Sequence, residues 1–139
     1  MDYRRFGDKY LIRLDKGEEI IESIKEICMK EKIKLASITG IGATNDITIG
    51  IYELDKKYYN KQSFHEDFEI TSLTGNVILS GDEIIPHIHV NISDKDFKVR
   101  GGHLNSAIIS VTCEIVLNAI EGEASKYLNE EIGIKLIKF

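Results

Sequence analysis

Alternation of apolar and polar residues in the last third of the sequence is the feature that most limits how this chain can fold. Apolar residues occupy the odd positions from 109 to 117, whereas positions 110, 112, 114 and 118 carry Ser, Thr, Glu and Asn. Because successive side chains of a strand point to opposite faces, this period of two predicts a long, half-buried strand. Such strands are typical of antiparallel sheets.

Shorter segments with the same period recur along the chain. They indicate strands near 9–15, 36–38, 47–51, 68–79, 86–93, 97–104 and 132–139. The connections between them are of hairpin length, and Gly40 and Gly42 mark a bend between two of the strands. We therefore expect an α+β fold, with a strongly bent, mostly antiparallel sheet or open barrel of about seven strands and one main N-terminal helix.

One segment follows a helical period instead. Its apolar residues share one helical face, and they are Ile20, Ile21, Ile24, Ile27 and Cys28. Glutamates come early in the segment and lysines late, which suits the helix dipole. The pattern predicts a helix from about Glu18 to Lys32.

The composition indicates one globular domain, over residues 1–139, with 42% hydrophobic and 29% charged residues. No apolar run approaches the roughly 20 residues that cross a bilayer, and the first ten residues lack a signal-peptide core. We expect a cytoplasmic protein with no membrane partner. Cys28 and Cys113 lie in apolar segments, which favours buried thiols in a reducing compartment.

Three of the four histidines lie close together in the sequence. His87 and His89 occupy alternate positions of one strand, so their side chains share a face, with the Cβ atoms about 6–7 Å apart. If the chain turns back through residues 93–96, His103 reaches the same place, and Gly101 and Gly102 would leave room for it. The spacing predicts a metal site for zinc or for another divalent ion that imidazole ligands bind.

Three neutral nitrogens would leave a tetrahedral ion with one open position, which is typical of a reactive or ligand-binding site. The alternative is that the three histidines are polar residues on the solvated face of a strand. The fourth histidine, His65, has the sequence context of a plain surface residue, although it could join the site from a neighbouring subunit.

The sequence does not identify catalytic residues beside the metal, but it offers candidates. Glu114 and Glu69 lie on predicted strands and could serve as proton shuttles, although each could equally be an exposed glutamate. Arg100 could pair with an anionic ligand, and Asn91 shares the predicted face of the histidine pair. We keep Glu114, Glu69 and Arg100 as the catalytic candidates.

Two other interpretations have less support. The segment TGIGA at 39–43 lacks the third glycine of a nucleotide-binding loop, so a sharp bend against a closely packed chain explains it better. Gly81, His87, His89 and Gly101 fit the first cupin motif, with Asp94 in place of its glutamate. The second cupin motif is absent, because its proline has no counterpart after Pro86.

Four segments that follow the helix in order resemble the PPC (plants and prokaryotes conserved) domain, also called DUF296. They are ITGIGATNDITIGIYE, DFEITSLTGNV, PHIHVNIS and RGGHL, and the resemblance covers about residues 8–122. It implies an α+β domain that assembles as a homotrimer. It also implies a zinc site on His87, His89 and His103, as in the stand-alone prokaryotic members.

The resemblance further implies a DNA-binding or regulatory role, because prokaryotic members are often described as DNA-binding. This chain has no AT-hook and a net charge of −5, which opposes binding to phosphates. Local basic surfaces could lie at Arg4, Arg5 and Lys9 or at Lys56, Lys57 and Lys61. The superfamily is also similar to acetolactate decarboxylases, which implies a zinc-dependent small-molecule lyase as the alternative. A small anionic ligand suits either role.

Overall fold

The computed structural model describes residues 1–139 and contains one α-helix and nine β-strands. In chain order the elements are β1 (Asp2–Phe6), β2 (Lys9–Asp15), α1 (Ile20–Lys30), β3 (Leu35–Glu53), β4 (Tyr58–Phe64), β5 (Phe68–Ser80), β6 (Glu83–Ser93), β7 (Val99–Ala119), β8 (Ser125–Asn129) and β9 (Ile134–Lys138). A single 3₁₀ turn, Leu54–Lys56, links β3 to β4.

Seven strands form one antiparallel sheet in the order β1-β2-β7-β6-β5-β3-β4. β7 also pairs with β3, so the sheet is strongly curved. This confirms the α+β fold with a bent antiparallel sheet. β8 and β9 form a separate two-stranded hairpin.

Two strands are longer than the sequence predicts, and three strands were not predicted. β3 continues through Gly40 and Gly42, where a bulge shifts its register against β5 and added Cβ atoms would meet β7 backbone oxygens at 2.8 and 2.7 Å. β7 joins two predicted strands into one of 21 residues. β1, β4 and β8 carry no clear apolar period, and the side chains of β1 and β4 are largely exposed, so the sequence does not predict these strands.

The helix packs against β6 and β7. Its buried residues are Ile20, Ser23, Ile24, Ile27 and Cys28, so the predicted apolar face is correct except for the half-buried Ile21. The helix begins later than predicted because the Glu19 side chain caps it, accepting a hydrogen bond from the Glu22 N–H at 2.7 Å. It ends earlier because Lys32 adopts a left-handed conformation.

A single apolar core lies between the helix and the sheet and includes both cysteines. Burial raises the pKa of the Cys28 and Cys113 thiols to about 12, so both stay protonated. Val111 departs from the alternation that predicts its strand, because its side chain is 68% exposed. Between the pair Gly42–Cys113 and the pair Thr44–Ile109, β7 advances by four positions but β3 by only two. This bulge turns Val111 outward.

No helix of the structure has the length and the apolar character that spanning a membrane requires.

Candidate metal centre

The three predicted metal ligands meet where β6 pairs with β7. His87 and His89 point to one face of β6. The neighbouring residues Ile88 and Val90 point to the other face, where they are buried. His103 on β7 lies directly opposite His89 in the antiparallel register. One ring nitrogen from each histidine lies within 4.8 Å of the other two, and the ring centroids are 5.3–5.7 Å apart.

Glycines allow the strands around the histidines to approach closely. A Cβ at Gly75 would stand 2.1 Å from the His87 carbonyl oxygen, and one at Gly102 would stand 2.8 Å from the Gly50 carbonyl oxygen. A Cβ at Gly101 would meet the Asn91 amide oxygen at 2.3 Å. The Gly101–Gly102 pair therefore makes room for Asn91 and for β3, which differs from the predicted role of clearing space for a third ligand.

Two buried side-chain atoms have no hydrogen-bond partner in the chain, and both belong to this region. They are His103 Nδ1 and Asn76 Oδ1, and Asn76 is the cross-strand neighbour of His87. Buried polar atoms are almost always satisfied, so an unpaired ring nitrogen needs an explanation such as an ion. Convergent imidazoles with an unpaired nitrogen are a donor set that fits zinc.

The surroundings of His87 and His103 favour the neutral imidazole, which is the form that binds a metal. Burial, with smaller contributions from the charges of His87, His89 and Lys126, lowers the pKa of His103 to about 4. His87 retains contact with solvent, yet partial desolvation lowers its pKa too, with a smaller contribution from Lys126. Protons therefore compete weakly with a metal at these two ligands near neutral pH.

The metal-free protein should lose stability as the pH falls from about 6.5 towards 4, in part because of His103. An unfolded histidine takes up a proton near pH 6.5, whereas folded His103 stays neutral down to about pH 4. The unfolded state then binds more protons, so acidification lowers the free energy of unfolding in this interval. Thermal unfolding at pH 7 and pH 5 should show that His103→Gln loses less stability between these two pH values than the wild type does. Equal losses would contradict this assignment.

A cavity of about 360 Å³ opens beside the histidines. His87 and His103 line one side together with Tyr59, whose ring centroid is 5.3 Å from that of His103. The β8–β9 hairpin supplies five further lining residues, which are Lys126, Leu128, Gly133, Ile134 and Lys135. Ile85 and Pro86 complete the lining. The site therefore has an open, solvent-accessible space next to the donor atoms.

The catalytic candidates do not line this cavity. Glu69 and Glu114 line a different groove, which includes Ile41 and Val111. The Arg100 guanidinium forms a salt bridge with Asp94 at 2.8 Å. No predicted carboxylate thus lies beside the histidines.

Two other predicted residues have structural partners of their own. Asn91 does share the face of the histidine pair, but its amide donates a hydrogen bond to the Ser72 hydroxyl at 2.9 Å. His65 is exposed, as expected, and its Nδ1 lies 3.2 Å from an Asp46 carboxylate oxygen.

Sequence reasoning missed Tyr59 and Lys126 as site residues. Tyr59 belongs to an edge strand without a clear apolar period, and Lys126 lies more than twenty residues beyond His103. Nothing in their local sequence indicates the site, because only the packing of β4 and the hairpin brings them there.

Comparison with solved structures shows close likeness over nearly the whole chain. A candidate DNA-binding protein from Bacteroides thetaiotaomicron is 29% identical, with a TM-score of 0.96 and coverage of 99% of this chain and 96% of that one. A metal-containing protein from Archaeoglobus fulgidus is 36% identical, with a TM-score of 0.88 and coverage of 98% and 97%. A plant- and prokaryote-conserved (PPC) protein from Pyrococcus horikoshii is 29% identical, with a TM-score of 0.84 and coverage of 97% and 93%.

A more distant likeness extends to a Staphylococcus aureus protein described as similar to α-acetolactate decarboxylase. It is 12% identical, with a TM-score of 0.58, and the alignment covers 80% of this chain and 52% of that one. At this identity the likeness concerns the fold alone. A search of curated proteins found no match.

The family comparison matches residues 1–121 to the Plants and Prokaryotes Conserved (PCC) domain. This range contains the whole curved sheet and all three histidines of the cluster, and it agrees with the resemblance noted in the sequence. The chain therefore belongs to the PCC domain family.

Proposed function

We propose that this protein binds one zinc ion through His87, His89 and His103 and uses the ion to hold a small ligand. The observation that carries the proposal is the convergence of three ring nitrogens, each within 4.8 Å of the others, beside a cavity. A zinc ion with three protein ligands keeps a position for an exogenous group and supplies Lewis acidity to it. The metal-containing relative from A. fulgidus supports the same assignment.

Metal analysis of the purified protein tests this proposal. Protein prepared without added zinc and then reconstituted with one equivalent should retain about one ion per chain after gel filtration. The His65→Ala variant should retain the same amount, because His65 is exposed and lies outside the cluster. Fewer than about 0.3 ions per chain in the wild type would refute the proposal.

The assembly we propose is a homotrimer in the cytoplasm, as the family resemblance implies. Exposed apolar side chains support contact between copies, since Ile41 is 57% exposed, Val111 is 68% exposed and both line one groove. Light scattering should give three times the mass of one chain. A mass of one chain at micromolar concentration would exclude the trimer.

DNA binding is a second candidate function, favoured by the B. thetaiotaomicron relative. In the first predicted basic group, Arg4 is exposed on β1, but Lys9 forms a salt bridge with Asp8 at 3.1 Å. In the second group, Lys56 pairs with Glu53. DNA binding should therefore be weak and should fall steeply with salt concentration. A flat salt dependence, or no binding near physiological salt, would reject DNA as a partner.

The enzymatic alternative is a zinc-dependent lyase acting on a small molecule. The cavity beside the histidines favours this possibility, because it offers room for a small substrate next to the ion. Release of CO₂ from acetolactate by the wild type, with loss in His89→Ala, would establish such an activity. Release that survives the substitution would place the reaction elsewhere.

A further inference from the structure

The β8–β9 hairpin forms the cavity wall that faces the histidines, and the rest of the fold holds it in place. The Ser80 hydroxyl accepts a hydrogen bond from the Lys126 N–H at 3.0 Å. At the other end, the Tyr52 hydroxyl donates to the Ile132 carbonyl and the Lys57 ammonium donates to the Glu130 carbonyl at 2.7 Å. The hairpin is therefore a fixed wall with a defined set of side chains.

The charge of this cavity is opposite to that of the whole chain. The chain has 23 acidic and 18 basic residues, yet no Asp or Glu lines the cavity and two lysines do. Lys135 has a carboxylate partner, Glu83, at 3.5 Å. Lys126 is half-buried, and only its backbone atoms form hydrogen bonds. Lys126 thus lines the cavity with no carboxylate partner for its ammonium group.

An ammonium group next to a divalent cation is unfavourable unless an anion lies between them, because partly buried charges are weakly screened. Lys126 lines the same cavity as His87 and His103, so a zinc ion there would leave the site with excess positive charge. A bound carboxylate would satisfy both cations. The remaining lining is largely apolar, from Ile85, Leu128 and Ile134 among others, and this suits a short aliphatic chain.

We propose that the hairpin is the ligand-recognition element of the site and that Lys126 binds the carboxylate of a small aliphatic acid. This inference rests on the proposed function, since it places the acid beside the histidine-bound ion. The cavity volume of about 360 Å³ limits the ligand to a small molecule.

Titration of cobalt-substituted protein with butyrate tests the proposal, with the visible absorption of the cobalt as the signal. The matched neutral probe is butyramide, which has the same chain and no charge. Lys126→Met should weaken butyrate binding at least about tenfold, since hydrogen bonds to charged groups are the strong ones. Lys126→Arg should keep most of the affinity. Lys138→Met, a change on the exposed end of β9 away from the cavity, should leave it unchanged.

The metal content and melting temperature of each variant distinguish a failure of the Lys126 role from a failure of the metal site. Equal metal content, equal folding and equal butyrate affinity in Lys126→Met and the wild type would overturn the role of Lys126 and leave the metal site standing. Butyramide binding as tightly as butyrate would likewise overturn anion recognition. A wild type that takes up no cobalt or zinc would overturn the proposed function itself, and the inference with it.

Discussion

Replacement of His103 by alanine is expected to abolish stoichiometric metal binding. His103 supplies one of only three convergent nitrogens, and it lies opposite His89 on the neighbouring strand. The two remaining imidazoles, both on β6, cannot hold a zinc ion in competition with water and buffer. Loss of a ligand should reduce affinity by more than about 100-fold, beyond the effect of losing a supporting hydrogen bond. Competition with a chromophoric chelator measures the change.

The same variant has a thermal signature that does not depend on metal analysis. Zinc at 100 times its dissociation constant should stabilise the wild type by about 2.7 kcal/mol, and it should not stabilise His103→Ala. His65→Ala is the matched control, because it also removes an imidazole but one that pairs with Asp46 at the surface. Full zinc stabilisation of His103→Ala would exclude His103 as a ligand.

Replacement of Gly75 by alanine is expected to have the second large effect. Gly75 lies opposite Ile88 on β6, and its added Cβ would stand 2.1 Å from the His87 carbonyl oxygen, a contact that only backbone movement can relieve. β5 lies between β6 and β3, so the strand cannot shift freely. We expect a loss of about 2–3 kcal/mol in the free energy of unfolding. Chemical denaturation measures it.

Gly75→Ala should also weaken metal binding, because the displaced backbone carries His87. Thr74→Ala is the control on the same strand, since the Thr74 side chain is exposed. Thr74→Ala should lower the free energy of unfolding by less than about 0.5 kcal/mol, as surface substitutions usually do. A Gly75→Ala protein with wild-type stability and zinc affinity would show that the strands have room to separate here.

The predictable part of this site depends on local geometry. The spacing of His87 and His89 fixes their common face, and a short turn after residue 93 is enough to place His103 beside them. These relations follow from the strand period alone. The helix is equally predictable from the sequence, because its apolar face is set by five residues close together in the chain.

The other features of the fold and the site depend on contacts between distant segments, which a single sequence does not reveal. Val111 follows the apolar alternation but is turned outward by a bulge against β3. Glu69 and Glu114 fit the chemistry of a proton shuttle, yet the curvature of the sheet places them along another groove. Lys126 reaches the cavity only because a separate hairpin packs across the end of β5.

The position of the hairpin has a consequence for how this protein could diversify. The family match ends at residue 121, whereas the hairpin begins at Ser125. The region that the family model matches thus contains every imidazole of the cluster, and the hairpin side of the cavity comes from the segment after it. Substitutions in residues 125–138 could then change the side chains that line the cavity while the three histidines stay the same.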